Sequence, residues 1–165
     1  HWARKHRISL VPSGGRTGLS SAATASQQEV VVAFDRMNQI LSFDETDLVV
    51  RLQPGVITEA LQHYARDKGY YFPIDFAAKG SSQIGGNVAT NAGGVKVVKY
   101  GLTRQWITGL RVVTGAGETL HLNKSLKKNA TGYDLRQLFI GSEGTLGFFT
   151  EIEVQLASPP APLRV

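Results

Sequence analysis

Two glycine-rich segments, about sixty residues apart, constrain this chain more than any other feature. The first reads Pro12-Ser13-Gly14-Gly15-Arg16-Thr17-Gly18-Leu19. The second reads Gly80-Ser81-Ser82-Gln83-Ile84-Gly85-Gly86-Asn87-Val88-Ala89-Thr90-Asn91-Ala92-Gly93-Gly94. Each lies directly against an apolar segment, so neither reads as free linker. Glycine permits φ > 0 and lets successive backbone N–H groups close in on a bulky anion. Two such cradles in a small domain point to a ligand with a diphosphate in its middle, such as a dinucleotide.

The 165 residues suit one domain, and a composition 42% hydrophobic and 19% charged suits a globular fold with a real core. The absence of cysteine excludes a disulfide framework, a thiolate metal site and a thiol nucleophile, and it fits a reducing compartment. A net charge of +5 is compatible with nucleic acid, an anionic surface or an anionic ligand. The basic residues fall into three groups: Arg4, Lys5, His6 and Arg7; Lys96, Lys99 and Arg104; and Lys124, Lys127 and Lys128. The first and third read as solvated surface. The second follows the second glycine segment, where a ligand role is more natural. No basic–aromatic stripe is present, so a nucleic-acid partner is not expected. No apolar run approaches the ~18 residues that would span a bilayer. The expectation is a cytoplasmic protein without a transmembrane segment, with room for peripheral contact at the inner membrane face.

Apolar patterning predicts short buried strands at Ile8–Pro12 and Glu29–Phe34, further strands at Leu48–Leu52 and Tyr70–Phe72, and a long last strand at Gly147–Leu156. A hairpin is expected from Ile107–Thr114 and Glu118–Leu122 around Gly115-Ala116-Gly117. Helices are expected at Thr58–Lys68, capped by Thr58 and closed by Gly69, at Gln83–Ala92 with Ser82 as N-cap, and at Asp134–Ile140. Gly85 and Gly86 in the first turn of the second helix imply close approach of a ligand or another backbone there. Strands outnumber helices and alternate irregularly, which predicts α+β rather than a doubly wound sheet. The chain starts without methionine on what reads as a helix tail. It ends in Ser158-Pro159-Pro160-Ala161-Pro162, a typical domain exit, so it is expected to be a fragment of something longer.

The first loop lacks the Gly-Lys-Ser/Thr ending of a P-loop and the spacing of the Rossmann fingerprint. Its N–H groups, with the hydroxyls of Ser13 and Thr17, suit a phosphate all the same; a tight turn after a strand is the alternative. Gly141-Ser142-Glu143-Gly144-Thr145-Leu146-Gly147 forms a third loop, which by itself reads as a turn with a bulge. His1, His6, His63 and His121 have no metal-ligand spacing. Asp75, Asp134 and Glu143 form no acid–base pair, and no Ser–His–Asp order stands out.

Taken in order, the three loops resemble those of the vanillyl-alcohol-oxidase-type flavoproteins, the FAD-linked oxidases with a PCMH-type FAD-binding domain. Tyr100-Gly101 and Gly132-Tyr133-Asp134-Leu135 fall where that family has them. The phrases Ala78-Lys79-Gly80-Ser81 and Asn129-Ala130-Thr131-Gly132-Tyr133-Asp134-Leu135-Arg136-Gln137-Leu138-Phe139 resemble the branch that oxidises D-2-hydroxy acids. That branch contains the D-lactate dehydrogenases, the flavin subunit of glycolate oxidase and the 2-hydroxyglutarate type, to which the two phrases are most similar.

The resemblance implies two α+β subdomains with FAD between them. The FAD-binding domain would span 1–157, without the family's first strand, and 158–165 would lead to a substrate domain outside this chain. Pro12, Ser13, Gly14, Gly15, Arg16, Thr17 and Gly18 would hold the diphosphate. Pro73, Gly80, Gly86, Asn87, Thr90, Asn91 and Gly93 would line the diphosphate and isoalloxazine side. Glu143, Gly144, Gly147 and Phe148 would lie near the adenosine end. Members that tether flavin through the first loop use a histidine there. Arg16 stands in this one, which implies non-covalent FAD. The implied substrate is a small 2-hydroxy acid, and the implied electron acceptor is a quinone, a cytochrome or an electron-transfer flavoprotein. No catalytic side chain and no metal ligand is expected within these residues. The family also contains transferases and NADPH-dependent reductases, the remaining enzymatic alternatives.

Overall fold

The structure is a computed structural model that describes residues 1–123, 126 and 128–161. It holds two sheets. A two-stranded parallel sheet pairs β1 (Leu10–Ser13) with β2 (Val30–Ala33), Leu10 opposite Val30. A five-stranded antiparallel sheet has the order β3-β4-β7-β5-β6, from β3 (Ile40–Asp44), β4 (Val49–Leu52), β5 (Ile107–Thr114), β6 (Thr119–Leu122) and β7 (Gly147–Gln155). Helices are α1 (Trp2–His6), α2 (Thr58–Asp67), α3 (Ile84–Ala89), α4 (Val97–Tyr100) and α5 (Arg136–Phe139). The α+β expectation holds.

The core lies against one face of the larger sheet. Along β7 Ile152 and Val154 are buried on either side of Glu153, the period-two pattern of a strand with one packed face, and Phe149, three residues before Ile152, is buried across an irregularity in the β5–β7 register. α2 presents Leu61 and Ala65 to this core, one helical turn apart and both fully buried. It ends where Gly69 takes φ 82°. The N–H of Tyr70 then returns to the carbonyl of Ala65, and that of Gly69 to Arg66, a Schellman closure. Ile84 and Val88 of α3, four residues apart, plug into the same core.

Several local expectations are corrected. Residues 83–92 are helical only over Ile84–Ala89, and 134–140 only over Arg136–Phe139. Tyr70–Phe72 makes a single bridge, Tyr71 to Ala157, rather than a strand. β3 and α4 were not foreseen, because Ile40–Asp44 and Val97–Tyr100 are short and mix polar with apolar residues. The caps also differ. Ile57 and Gln83 occupy the N-cap positions of α2 and α3, and neither caps with its side chain. Thr58 and Ser82 instead bond to each other in the interior, their hydroxyl oxygens 2.7 Å apart. Lys124 and Lys127 of the third basic group, and 162–165 of the expected linker, lie outside the described residues.

Residues 14–29 join two parallel strands without a helix, where a crossover helix is the usual solution. A loop this long in a compact domain generally has work to do. Here it forms one wall of a cavity.

Candidate dinucleotide site

A cavity of about 580 Å³ opens between the two sheets. Its walls are the loop after β1, the start of α3, the third loop and the beginning of β7. Glycine contacts weld these pieces together. A Cβ on Gly15 would lie 2.2 Å from the carbonyl oxygen of Ser81, so the first loop touches the second backbone to backbone. In the third loop Gly144 sits against the ring of Pro12. That loop also feeds two N–H groups back to α3, Gly141 to Val88 at 3.0 Å and Glu143 to Ala89 at 2.8 Å.

The donors left over define what the cavity can take. Among the described residues, no backbone N–H from Gly14 to Gly18 donates a hydrogen bond within the protein, and neither does that of Gly86. Unpartnered N–H groups gathered on one concave surface form an anion cradle. Above Gly86 a Cβ would meet nothing within 4 Å, and the residue lines the cavity. Phe34, Phe76, Phe148 and Pro54 supply apolar walls, and Phe34 and Phe148 pack edge to face at 5.9 Å. Arg16 and Glu143 are the charged side chains among the described residues of the lining. A nearly neutral, N–H-rich cradle beside aromatic walls fits a diphosphate joined to flat rings.

Gln83 was not anticipated. It is 3% exposed, its amide nitrogen donates to Asp35 Oδ1 at 3.1 Å, and its carbonyl oxygen has no partner. That oxygen lies against Gly14. Its only sequence signal was its place at the head of α3.

All the residues expected at the site line this cavity except Ser13, Pro73, Gly80 and Asn91. Ser13 is buried as the last residue of β1, opposite Ala33. Pro73 is fully buried in the interior. Gly80 closes a short 3-10 turn beside the Glu59 carboxylate. Asn91, at φ 48°, accepts the N–H of Arg104 at 3.0 Å through Oδ1.

The second basic group proves structural. Arg104 donates to the carbonyl of Ile140 at 3.1 Å and bonds Gln137, and Lys99 lies over the ring of Tyr100. Lys96 reaches Asp75 Oδ2 at 2.8 Å and the Tyr71 hydroxyl at 2.7 Å, and Lys79 reaches the other Asp75 oxygen at 3.2 Å. The Lys96 hydrogen bond holds the Asp75 carboxyl below its usual range against the opposing effect of partial burial, with Lys79 adding to it. Asp75 and then Tyr71 hold the Lys96 ammonium above its own. Since Val95 donates its N–H to the Asp75 carbonyl, this cluster anchors the end of the second loop. Among the described residues no group of His, Asp or Glu could hold a metal, and no helix is long and apolar enough to cross a membrane.

Comparison with known proteins agrees with this geometry. Residues 1–123 match a family model described as an FAD binding domain. The chain is 63% identical over 162 residues to the D-2-hydroxyglutarate dehydrogenase of Stutzerimonas stutzeri, covering 98% of this chain and 35% of that one. It is 44% identical over 164 residues to the mitochondrial D-2-hydroxyglutarate dehydrogenase of Bos taurus, covering 99% and 30%. It therefore spans about a third of the length of the curated relatives it matches. Among solved structures, alkyldihydroxyacetonephosphate synthase superposes with a TM-score of 0.84 at 27% identity, over 97% of this chain and 31% of that one. Loops, cavity and family model converge, and the chain belongs to the FAD-binding-domain family of FAD-linked oxidases.

Proposed function

We propose that this chain is the FAD-holding portion of a flavin-dependent D-2-hydroxy-acid dehydrogenase, with D-2-hydroxyglutarate as substrate. The observation that carries the site is the set of unpartnered N–H groups at Gly14–Gly18 and Gly86 on one cavity. The substrate rests on the 63% identity to a relative bearing that name.

In this reading the N–H groups of the first loop and of Gly86 bind the diphosphate, helped by the Arg16 guanidinium. Asn87, Thr90, Gly93, Glu143, Gly144, Gly147 and Phe148 complete the walls. Ser13, Pro73, Gly80 and Asn91 support them from behind. Phe34, Phe76 and Phe148 exclude water from the apolar part, where every electrostatic contact is worth more. What the bound flavin supplies is a two-electron acceptor for the hydrogen on the substrate α-carbon, so that a 2-hydroxy acid becomes a 2-oxo acid. The base that takes the hydroxyl proton lies outside these residues, in a substrate domain reached through 158–165, while 1–157 form the FAD domain. The flavin is held without a covalent bond. Electrons pass on to a quinone, a cytochrome or an electron-transfer flavoprotein. The protein works in the cytoplasm, with any membrane contact peripheral.

The test is the visible spectrum of the full-length protein after incubation with FAD and gel filtration. A perturbed flavin band that co-elutes with protein is expected. A flavin-free protein peak sinks the cofactor assignment. Acid precipitation should leave the yellow colour in the supernatant; colour in the pellet overturns the non-covalent assignment. A second reading, a transferase like the synthase with the similar fold, rests on 27% identity. Turnover of D-2-hydroxyglutarate with an artificial electron acceptor separates the two.

A further inference from the structure

A buried polar triad lies beneath the second loop and ends in the cavity. Thr58, the first residue of α2, is fully buried; Ser82 is 1% exposed and Asn87 5% exposed. The Thr58 hydroxyl lies 3.1 Å from the Ser82 carbonyl oxygen and 2.7 Å from the Ser82 hydroxyl, and the Asn87 side-chain nitrogen donates to it at 2.7 Å. With the Thr58 proton directed at the Ser82 carbonyl, only lone pairs remain on the Thr58 oxygen. The end of Asn87 that meets those lone pairs must then be its NH₂ and not its carbonyl. The Asn87 Oδ1 atom makes no hydrogen bond among the described residues and is not among the occluded unpartnered atoms. Since Asn87 lines the cavity, this oxygen is what the side chain offers to a ligand.

We infer that Thr58 is a positioning residue, which fixes the Asn87 amide so that its carbonyl oxygen accepts a hydrogen bond from the ligand. This rests on the FAD reading and deepens it. An acceptor cannot bind the diphosphate, which has only acceptors itself. It selects a donor: the imide N–H of the isoalloxazine ring, a ribityl or ribose hydroxyl, or the adenine amino group. Thr58 lies on a different helix from Asn87 and is absent from the cavity lining, so it can act on the cofactor only through the residues it bonds, Asn87 and Ser82, and the cycle with Asn87 separates the two routes.

The test is a double-mutant cycle on FAD affinity in the full-length protein, with thermal unfolding as a fold check. Thr58→Val keeps the shape and removes the hydroxyl, and it should raise the FAD dissociation constant about tenfold. Asn87→Ala should raise it comparably, and the double variant no further than Asn87→Ala alone. Thr58→Ser should restore near-wild-type affinity. Equal losses from Thr58→Val in both backgrounds, or a folded Thr58→Val protein with unchanged affinity, overturn the inference. Should Thr58→Val fail to fold, Thr58→Ala, which also lacks the hydroxyl, carries the same cycle. A wild-type protein that takes up no FAD overturns the functional reading first, a result distinct from any in the cycle. With 3-methyl-FAD, a vanished cost of Asn87→Ala identifies the imide as the donor and a persistent cost identifies one of the other FAD donors. No cost with either cofactor overturns the inference.

Discussion

The two glycine segments face the same cavity but are held in opposite ways. The second is part of the core. Ile84 and Val88 are almost wholly buried, and the segment is tied by bonds from Ile84 to Val56, from Gly85 to Pro54 and from the third loop. The first hangs from a two-stranded sheet. Leu19 is 100% exposed, Val30 and Val31 are exposed, and Arg16, Ser21 and Gln28 all take positive φ. Non-glycine residues in that region of backbone space are sparsely populated and cluster where a ligand is handled. The difference teaches that packing sets the second loop before any ligand arrives, whereas the first is left with unpaired donors for the ligand to satisfy.

The largest expected effect breaks the rigid side. Ile84→Ala empties a core position and should cost about 3 kcal/mol of stability, while Leu19→Ala should stay within about 0.5 kcal/mol. Thermal unfolding of the two variants checks this, and comparable losses would erase the contrast. Next come the two close-approach glycines. A Cβ on Gly85 would lie 2.6 Å from Pro54 Cβ and 3.0 Å from the Pro54 carbonyl oxygen, with no freedom to move away. Gly85→Ala should therefore cost about 1–3 kcal/mol in urea unfolding. Gly15→Ala makes an even closer clash with the Ser81 backbone, but on a loop with fewer ties to the core. It should cost less stability than Gly85→Ala and weaken FAD binding by more than about tenfold, as isothermal titration would show. A stability loss as large as that of Gly85→Ala would mean the first loop is as fixed as the second.

Gly86→Ala sharpens the comparison within one helix turn. With open space at its Cβ, the change should hold or raise stability by up to about 1 kcal/mol, since glycine is a poor helix residue. It should also weaken FAD binding by intruding on the cradle. A variant that loses stability but keeps affinity would place Gly86 with Gly85. The smallest effect concerns pH. The Asp75 carboxyl is lowered in the fold from its ordinary 3.8 by its Lys96 hydrogen bond. Its stabilisation is therefore present above about 3.8 and lost as pH falls through the lower folded value. Lys96 is raised from 10.5, so its share is present below that pH and lost as pH rises through the higher folded value. Asp75→Asn should flatten the acid limb of the unfolding curve slightly; an unchanged limb would mean that the cluster does not anchor the loop's end.

What could be read along the chain was whatever short-range pattern records. The strands at β1, β2, β4 and β7, the hairpin of β5 and β6, and the face of α2 all follow from apolar spacing, which survives in one dimension, but the burial expected of β1 and β2 does not hold: Leu10, Val30 and Val31 are exposed because the two-stranded sheet lies outside the main core. β3 was illegible because its pairing with β4 is long-range and its residues mix polar with apolar. The caps were misread because Thr58 and Ser82 carry cap-type side chains whose hydroxyls the interior claims instead.

The amino-acid sequence by itself determined that two glycine cradles exist, that they and the third loop occur in the order of the flavoprotein family, and that the fold is α+β. Each is a matter of residue type and spacing. Only the tertiary structure decided which glycine touches what. Gly85 and Gly86 are identical in sequence terms, yet one is pressed against Pro54 and the other is open to the cavity. It also decided that Asn91 accepts the N–H of Arg104 while the Asn87 amide nitrogen donates to Thr58. The reason is physical: a backbone donor or amide becomes a ligand contact only when packing from distant segments leaves it without a partner in the protein.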